Sequence, residues 1–194
     1  MVEALDAAPV SLVAWSFAGH VALHAALAAP ALFDAMLIYE PGVPTYVDDP
    51  ADLAAWQEDA QLMLAPVTEA LGRGDEAGAV RALIDGSGGP GCFDGQPEER
   101  RRIHLDSAHV LPRLFAAEPP TPIGPAELAR LELPVAIAWG SASRPLFTIP
   151  SRAAARAIAT GGHREIEGAG HLWPEAEPGA FSAFVAEWME SRRA

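Results

Sequence analysis

The chain has 194 residues, of which 50% are hydrophobic and 20% charged, and its formal net charge is −13. This length predicts one domain with a sizeable core and room for an inserted subdomain. The acidic balance argues against nucleic acid and anionic membranes as partners, because both select basic surfaces. The single cysteine, Cys92, excludes an internal disulfide and a cysteine-based metal site. With no signal peptide evident at the first residues, a reduced, cytoplasmic setting is the default interpretation.

A stretch without Lys, Arg, Asp or Glu extends from Ala7 to Phe33 and is long enough for a membrane-spanning helix. Pro9 and Pro30 bracket it, however, and its second half is rich in alanine, which drives membrane insertion weakly. The β-branched, apolar block before Ser16 gives way to a helical pattern after it. The stretch therefore predicts a buried strand, a tight turn at the serine and a helix.

Four short blocks predict parallel strands, namely residues 9–15, 35–40, 133–140 and 163–168. The first three are nearly continuous apolar runs, as expected for strands covered by helices on both faces. Three helices are predicted around them, at residues 17–29, 150–160 and 177–193. Strands that alternate with helices predict the α/β class with a parallel sheet of about four strands.

The connection between the second and third strands, residues 42–125, is too long for a plain crossover and has helical patterns of its own. One helix is predicted from Leu53 to Leu71, with Pro66 as the place for a kink, and another from Ile103 to Phe115. Composition predicts a loop at residues 85–97 and a return linker to the third strand at residues 118–125. Such an insertion is naturally a lid over a site, although a purely structural excursion fits the pattern equally well.

Ser16 lies in the sequence "AWSFAG", between the first predicted strand and the helix that follows it. A nucleophile presented on such a tight turn needs small neighbours two residues before and after it, hence the usual motif G-x-S-x-G. Here both positions are alanines, Ala14 and Ala18, with Gly19 following. An alanine adds one methyl group and can just fit. Taken alone, a serine at this place is more often a helix N-cap.

His171 lies in the loop "EGAGHLWPE", directly after the fourth predicted strand. A lone histidine is usually a surface or structural residue. The small residues of this loop nevertheless leave its imidazole free to reach across the strand ends. Its place also fits a chain order of serine, acid and histidine, in which the general base comes last.

The segments "VSLVAWSFAGHVALHAALAAPALFDAMLIYEPG", "LELPVAIAWGS" and "IEGAGHLWPEAEPGAFSAFVAEWM" together resemble the C-terminal two-thirds of the α/β-hydrolase superfamily. They match its nucleophile strand, helix and next strand, then the strand before the usual acid loop, then its histidine loop and last helix. The resemblance implies an α/β-hydrolase-like core, residues 1–41 and 126–194, with a helical lid or cap at residues 42–125.

Most members of this family carry an aspartate shortly after the third of these strands, but no Asp or Glu occurs between Leu133 and Arg164. Ser143 lies close to the vacant position. Some members, haloalkane dehalogenases among them, take their acid from the end of the preceding strand, where this chain has Glu40. An exposed carboxylate and a partner for an arginine of the lid are the alternatives for Glu40. The vacant position favours Glu40 as the triad acid.

A serine nucleophile implies acyl transfer from a small, apolar ester, thioester or lactone, with His171 as base and Glu40 orienting the imidazole. The backbone N–H of Phe17 is the expected oxyanion donor. Three tryptophans next to these motifs are candidates for an apolar acyl pocket, with core packing as their commoner role: Trp15, Trp139 and Trp173. No cofactor is expected. His20 and His24 have a spacing that suits a metal, but no third ligand is evident nearby.

The family fold has several strands before the one that carries the nucleophile, and this sequence has none of them. Three interpretations stay open. The chain is part of a longer enzyme, or its open apolar edge strand pairs with another chain to form a homodimer, or it is a degraded relic. Since the absent part normally supplies a second oxyanion donor, the alternative function is a catalytically impaired homologue that binds a small molecule or a partner.

Overall fold

The computed structural model describes residues 8–118 and 121–192. The chain divides into two compact units. One consists of Met1–Trp56 with Pro122–Ala194, and the other of Gln57–Thr121.

The first unit contains a parallel sheet with the order β1-β2-β3-β4. Its strands are β1 (Val10–Trp15), β2 (Phe33–Tyr39), β3 (Val135–Gly140) and β4 (His163–Ile166). The predicted four-stranded parallel sheet is therefore confirmed. Consecutive residues of β2 face opposite sides, since Met36 and Ile38 join one buried cluster and Leu37 and Tyr39 another.

Ten α-helices are found among the described residues. In chain order they are α1 (Phe17–Ala28), α2 (Pro50–Gly72), α3 (Glu76–Gly88), α4 (Cys92–Gly95), α5 (Glu98–Asp106), α6 (Leu111–Ala116), α7 (Pro125–Leu128), α8 (Pro145–Ala157), α9 (Trp173–Ala176) and α10 (Pro178–Ser191). Short 3₁₀ turns occur at Pro30–Leu32, Pro44–Tyr46 and Ala108–Val110.

Helix α8 begins at Pro145, earlier than the predicted residue 150, and contains a second proline inside it. Pro145 suits the first turn, where its missing N–H has no helical acceptor. Pro150 has no N–H to donate to the carbonyl of Leu146, and the indole Nε1 of Trp56 donates to that oxygen instead, at 3.0 Å. The helix therefore tolerates an internal proline because a side chain replaces the lost hydrogen bond.

The second unit is helical, and two of its predicted elements are wrong. The single helix expected from Ile103 to Phe115 is interrupted between α5 and α6 by the 3₁₀ turn Ala108–Val110, and Pro112, at the start of α6, has no N–H to donate to the carbonyl of residue 108. The segment expected as loop, residues 85–97, contains the end of α3 and all of α4. Asp85 stabilises this arrangement, since its carboxylate accepts the backbone N–H of Phe93 at 2.7 Å.

The predicted helix across Pro66 is present as α2, which is continuous through the proline. The compact unit covers a smaller range than the predicted insertion of residues 42–125. Its assignment as a lid stays a prediction. No helix within residues 8–118 or 121–192 combines the length and hydropathy that crossing a membrane requires.

Strand β1 forms one edge of the sheet within the described part of the chain. Val13, at its middle, is 37% exposed. Near its start, the Ser11 hydroxyl donates to the Asp34 carboxylate at 2.7 Å and accepts from the Arg192 guanidinium at 3.1 Å. Pairing of this edge with a second copy of the chain stays a prediction.

Two adjacent glycines after α8 allow a matched test of close packing in this unit. A Cβ on Gly161 would lie 1.7 Å from the backbone carbonyl oxygen of Val135, whereas one on Gly162 would meet nothing within 4 Å. We expect Gly161→Ala to lower the free energy of unfolding by about 2 kcal/mol or more, because backbone atoms must shift. Gly162→Ala is expected to change it by less than about 1 kcal/mol. Urea unfolding of both variants measures this, and equal stabilities would contradict the described contact.

Candidate active site

Ser16 occupies the turn between β1 and α1 in a backbone conformation that only glycine adopts easily. Its φ is 58° and its ψ −134°. It stands at the N-cap position of α1, yet its side chain makes no capping hydrogen bond. Its Oγ lies 3.1 Å from Nε2 of His171 instead. The capping interpretation of this serine is therefore wrong.

The residues around Ser16 show why alanines suffice where the usual motif has glycines. Ala14 fits within the buried cluster on one face of the sheet, and the side chain of Ala18 is exposed. The position without room for a side chain is Gly19, where a Cβ would lie 2.5 Å from Cγ2 of Ile38. This glycine allows α1 to pack closely against β2.

Glu40 follows β2 directly and is completely buried. Its φ is 50°, and among the described residues Glu40 and Ser16 are the two non-glycine residues with a positive φ. One carboxylate oxygen, Oε1, accepts the backbone N–H of Gly140 at 2.8 Å, and Oε2 lies 2.6 Å from Nδ1 of His171. The alternative of an exposed strand-end carboxylate is wrong.

The loop that carries His171 is held by contacts with the ends of β2 and β3. The Tyr39 hydroxyl donates to the carbonyl of Gly170 at 2.8 Å. Burial raises the pKa of Tyr39, and the adjacent Glu40 raises it further, so the phenol keeps its proton and remains a donor. Gly140 permits the close approach of the loop, since a Cβ there would lie 2.0 Å from the carbonyl oxygen of Ala169.

Two aromatic rings flank the imidazole of His171, which is 4% exposed. The ring of Phe147, from α8, is stacked on it with centroids 3.4 Å apart and an interplanar angle of 1°. The ring of Trp15 lies 5.5 Å away at a tilt of 48°. Among the predicted pocket residues, Trp15 is therefore the one whose contact with His171 is direct.

The side chains of Trp139 and Trp173 are core residues, and their surroundings do not support the interpretation as acyl-pocket residues. Trp139 is 6% exposed and its indole N–H donates to Glu165 at 2.7 Å. Trp173 is 7% exposed and packs against the rings of Tyr39 and Phe181. Trp139 packs in the buried cluster on one face of the sheet, and Trp173 packs in the cluster on the other face.

Phe17 begins α1, and its side chain is 44% exposed. The backbone N–H groups in the first turn of a helix have no acceptor within that helix. The N–H of Phe17 is therefore suited to donate a hydrogen bond to an anionic oxygen beside Ser16. His20, one turn further on, is 1% exposed and therefore packs inward. Within the described ranges, no group of three or more metal-ligating side chains is found.

Three polar side chains contact one another in sequence beyond the C-terminal ends of the strands. Parallel strands all end at the same edge, and Ser16, Glu40 and His171 follow β1, β2 and β4 there. The hydroxyl faces one nitrogen of the imidazole and the carboxylate faces the other. In this geometry an imidazole can take the proton of the hydroxyl while the carboxylate fixes its orientation.

A sequence model described as the Alpha/beta hydrolase family matches residues 1–184. The chain belongs to the alpha/beta hydrolase family. The resemblance stated from the sequence is thereby confirmed, and membership of this family supports the prediction of a hydrolase. A search of the curated proteins finds no match.

Solved structures of this fold are similar over nearly the whole chain. A hydrolase from Pseudomonas aeruginosa shares 23% identity at a TM-score of 0.72, over 97% of this chain and 67% of that one. A hydrolase from Oleispira antarctica shares 16% at 0.70, over 96% and 67%. An esterase from Rhodococcus sp. shares 19% at 0.68, over 94% and 65%. At these identities the likeness shows the fold alone, and the chain spans about two thirds of the length of these structures.

Three residues of this site were missed from the sequence: Tyr39, Gly140 and Phe147. Tyr39 and Gly140 adjoin predicted features, the acid and the end of the third strand, and this nearness was the signal available. Phe147 gave none, because an aromatic residue in the run "PLFTIP" looks like any other core residue.

The backbone strain at Ser16 predicts an unusual order of stability. Ser16→Gly and Ser16→Ala both remove Oγ, but glycine adopts φ 58° without strain. We expect the glycine variant to be more stable than the alanine variant by about 1 kcal/mol. At Ser182, inside α10, the same pair should show the opposite order, because glycine is the poorer helix former by about 1 kcal/mol. Urea unfolding checks both pairs, and an alanine preference at position 16 would contradict the described turn.

Proposed function

We propose that this chain is a serine hydrolase that cleaves a small ester, thioester or lactone by acyl transfer through Ser16, His171 and Glu40. The observation that carries the proposal is the continuous contact from Ser16 Oγ to His171 Nε2, 3.1 Å, and from His171 Nδ1 to Glu40 Oε2, 2.6 Å. The positive φ of both Ser16 and Glu40 supports it, since backbone strain of this kind clusters at functional sites.

In the first half of the proposed reaction, Ser16 Oγ attacks the substrate carbonyl and forms the new C–O bond. His171 Nε2 takes the hydroxyl proton, and the carbonyl electron pair moves to its oxygen. The N–H of Phe17 donates to this oxyanion. His171 then returns the proton to the leaving alcohol or thiol as its bond to carbon breaks, which leaves an acyl group on Ser16.

In the second half, water takes the place of the leaving group. His171 accepts a proton from the water as its oxygen attacks the acyl carbon, and the proton passes to Ser16 Oγ when the acid is released. Glu40 keeps the proton of His171 on Nδ1 throughout, because a carboxylate can only accept there. Acyl transfer of this kind needs no cofactor. The esterase activity named for the Rhodococcus neighbour agrees in reaction class with this proposal.

A fluorophosphonate probe tests the proposal directly, because it reacts with an activated serine and only slowly with other side chains. We expect one probe per chain, found on the peptide that contains Ser16 by mass spectrometry. Ser16→Ala and His171→Ala should abolish labelling. His109→Ala, which removes an exposed histidine, should leave it unchanged. A folded wild-type chain without label would contradict the proposal and favour a binding protein.

The role of Glu40 can be separated from its burial by a substitution that keeps its shape. Glu40→Gln retains an oxygen for the N–H of Gly140 but places an amide where His171 needs an acceptor. We expect the rate of labelling and of ester hydrolysis to fall roughly 10³- to 10⁴-fold, because the wrong tautomer of the imidazole is favoured.

Glu187→Gln is the matched control for this substitution, since Glu187 pairs with Arg164 on the exposed surface. It should retain the wild-type rate. A Glu40→Gln variant with the wild-type rate and an unchanged melting temperature would rule out Glu40 as the triad acid while leaving Ser16 and His171 in place.

A further inference from the structure

The contact between Phe147 and His171 has a geometry that two neutral aromatic rings avoid. Their centroids are 3.4 Å apart with planes parallel to within 1°, so the rings overlie one another almost without offset. The faces of two neutral rings both carry partial negative charge, and such pairs prefer offset or edge-to-face packing. Other pairs of this protein follow that preference, with interplanar angles of 73° for Tyr39–Phe181 and 87° for Trp173–Phe181.

A positively charged ring reverses the preference, because a cation is attracted to the face of a phenyl group. His171 carries a positive charge transiently in the proposed reaction, after it has taken the proton of Ser16. Both rings are 4% exposed, so water weakens this attraction little. The stacked arrangement is therefore matched to the charged intermediate.

We propose, on the basis of the proposed function, that Phe147 is a positioning residue that stabilises the imidazolium form of His171 during acyl transfer. It acts on the face of the ring, whereas Glu40 acts at its edge through Nδ1. The two interactions are perpendicular, so neither substitutes for the other. Phe147 also blocks rotation of the imidazole out of the line between Ser16 and Glu40.

The backbone of α8 holds Phe147 in place. Its N–H donates to the carbonyl of Arg144 at 3.0 Å, and its carbonyl accepts the hydroxyl of Ser151 at 2.7 Å. Ser151 is completely buried. The adjacent carbonyl, of Leu146, is the one bound by Trp56. The start of α8 is thus fixed by side chains of its own unit at the position where the stacked ring emerges.

Fluorination tests this inference because each fluorine reduces the negative electrostatic potential over the face of a phenyl ring with little change in the shape of the ring. Phenylalanine analogues with one, two, three and five fluorines are placed at position 147 of the full chain, and the rate of fluorophosphonate labelling and kcat for a p-nitrophenyl ester are measured. We expect both to fall with each fluorine, to a total of roughly 10- to 30-fold. KM should change little, because the proposed role of the ring lies in the proton-transfer steps and not in substrate binding.

The same analogues at Phe33, which is buried at the start of β2, are the matched control and should leave both rates unchanged. Melting temperatures identify any analogue that disturbs packing, and the slope through the mildly fluorinated variants decides the outcome if the pentafluoro variant is unstable. Rates that stay flat at position 147 while wild type is labelled at Ser16 overturn this inference and leave the proposed function standing. Absence of labelling in wild type overturns both.

Discussion

Glu40 lies out of contact with water at the end of β2, and its two carboxylate oxygens bind partners from two other parts of the chain. A buried carboxylate costs several kcal/mol unless hydrogen bonds compensate for its lost hydration. Here the backbone N–H of Gly140 and the imidazole of His171 supply them. The Glu40 side chain therefore links the ends of β2 and β3 to the histidine loop.

The parallel sheet explains how residues so distant in sequence meet. The N–H of Ser16 donates to the carbonyl of Tyr39 at 3.0 Å, and that of Glu40 donates to Ala138 at 2.9 Å, so the strand ladder continues into both turns. These bonds hold the two residues in their strained conformations. In these conformations the hydroxyl and the carboxylate point to opposite nitrogens of one imidazole.

Much of this could be predicted from the sequence, because apolar runs and small residues identify buried strands and tight turns. Ser16, Glu40 and His171 each follow a predicted strand, and the vacant acid position after the third strand pointed to Glu40. The break between α5 and α6 and the helical turns within residues 85–97 were mispredicted. Apolar periodicity was given more weight than Pro112 in the first case, and glycine content more weight than the Asp85 carboxylate, which accepts the N–H of Phe93, in the second. The stacking of Phe147 was out of reach, because it depends on an orientation that no local pattern encodes.

The contact between Glu40 and His171 is most directly tested by NMR of the chain with ¹⁵N-labelled histidine. The account predicts a proton far downfield of the amide region, coupled to Nδ1 of His171, because a short hydrogen bond to a buried carboxylate deshields it. This signal should persist in Ser16→Ala and disappear in Glu40→Gln. A folded wild-type chain without this signal, or a Glu40→Gln variant that keeps it, would contradict the account.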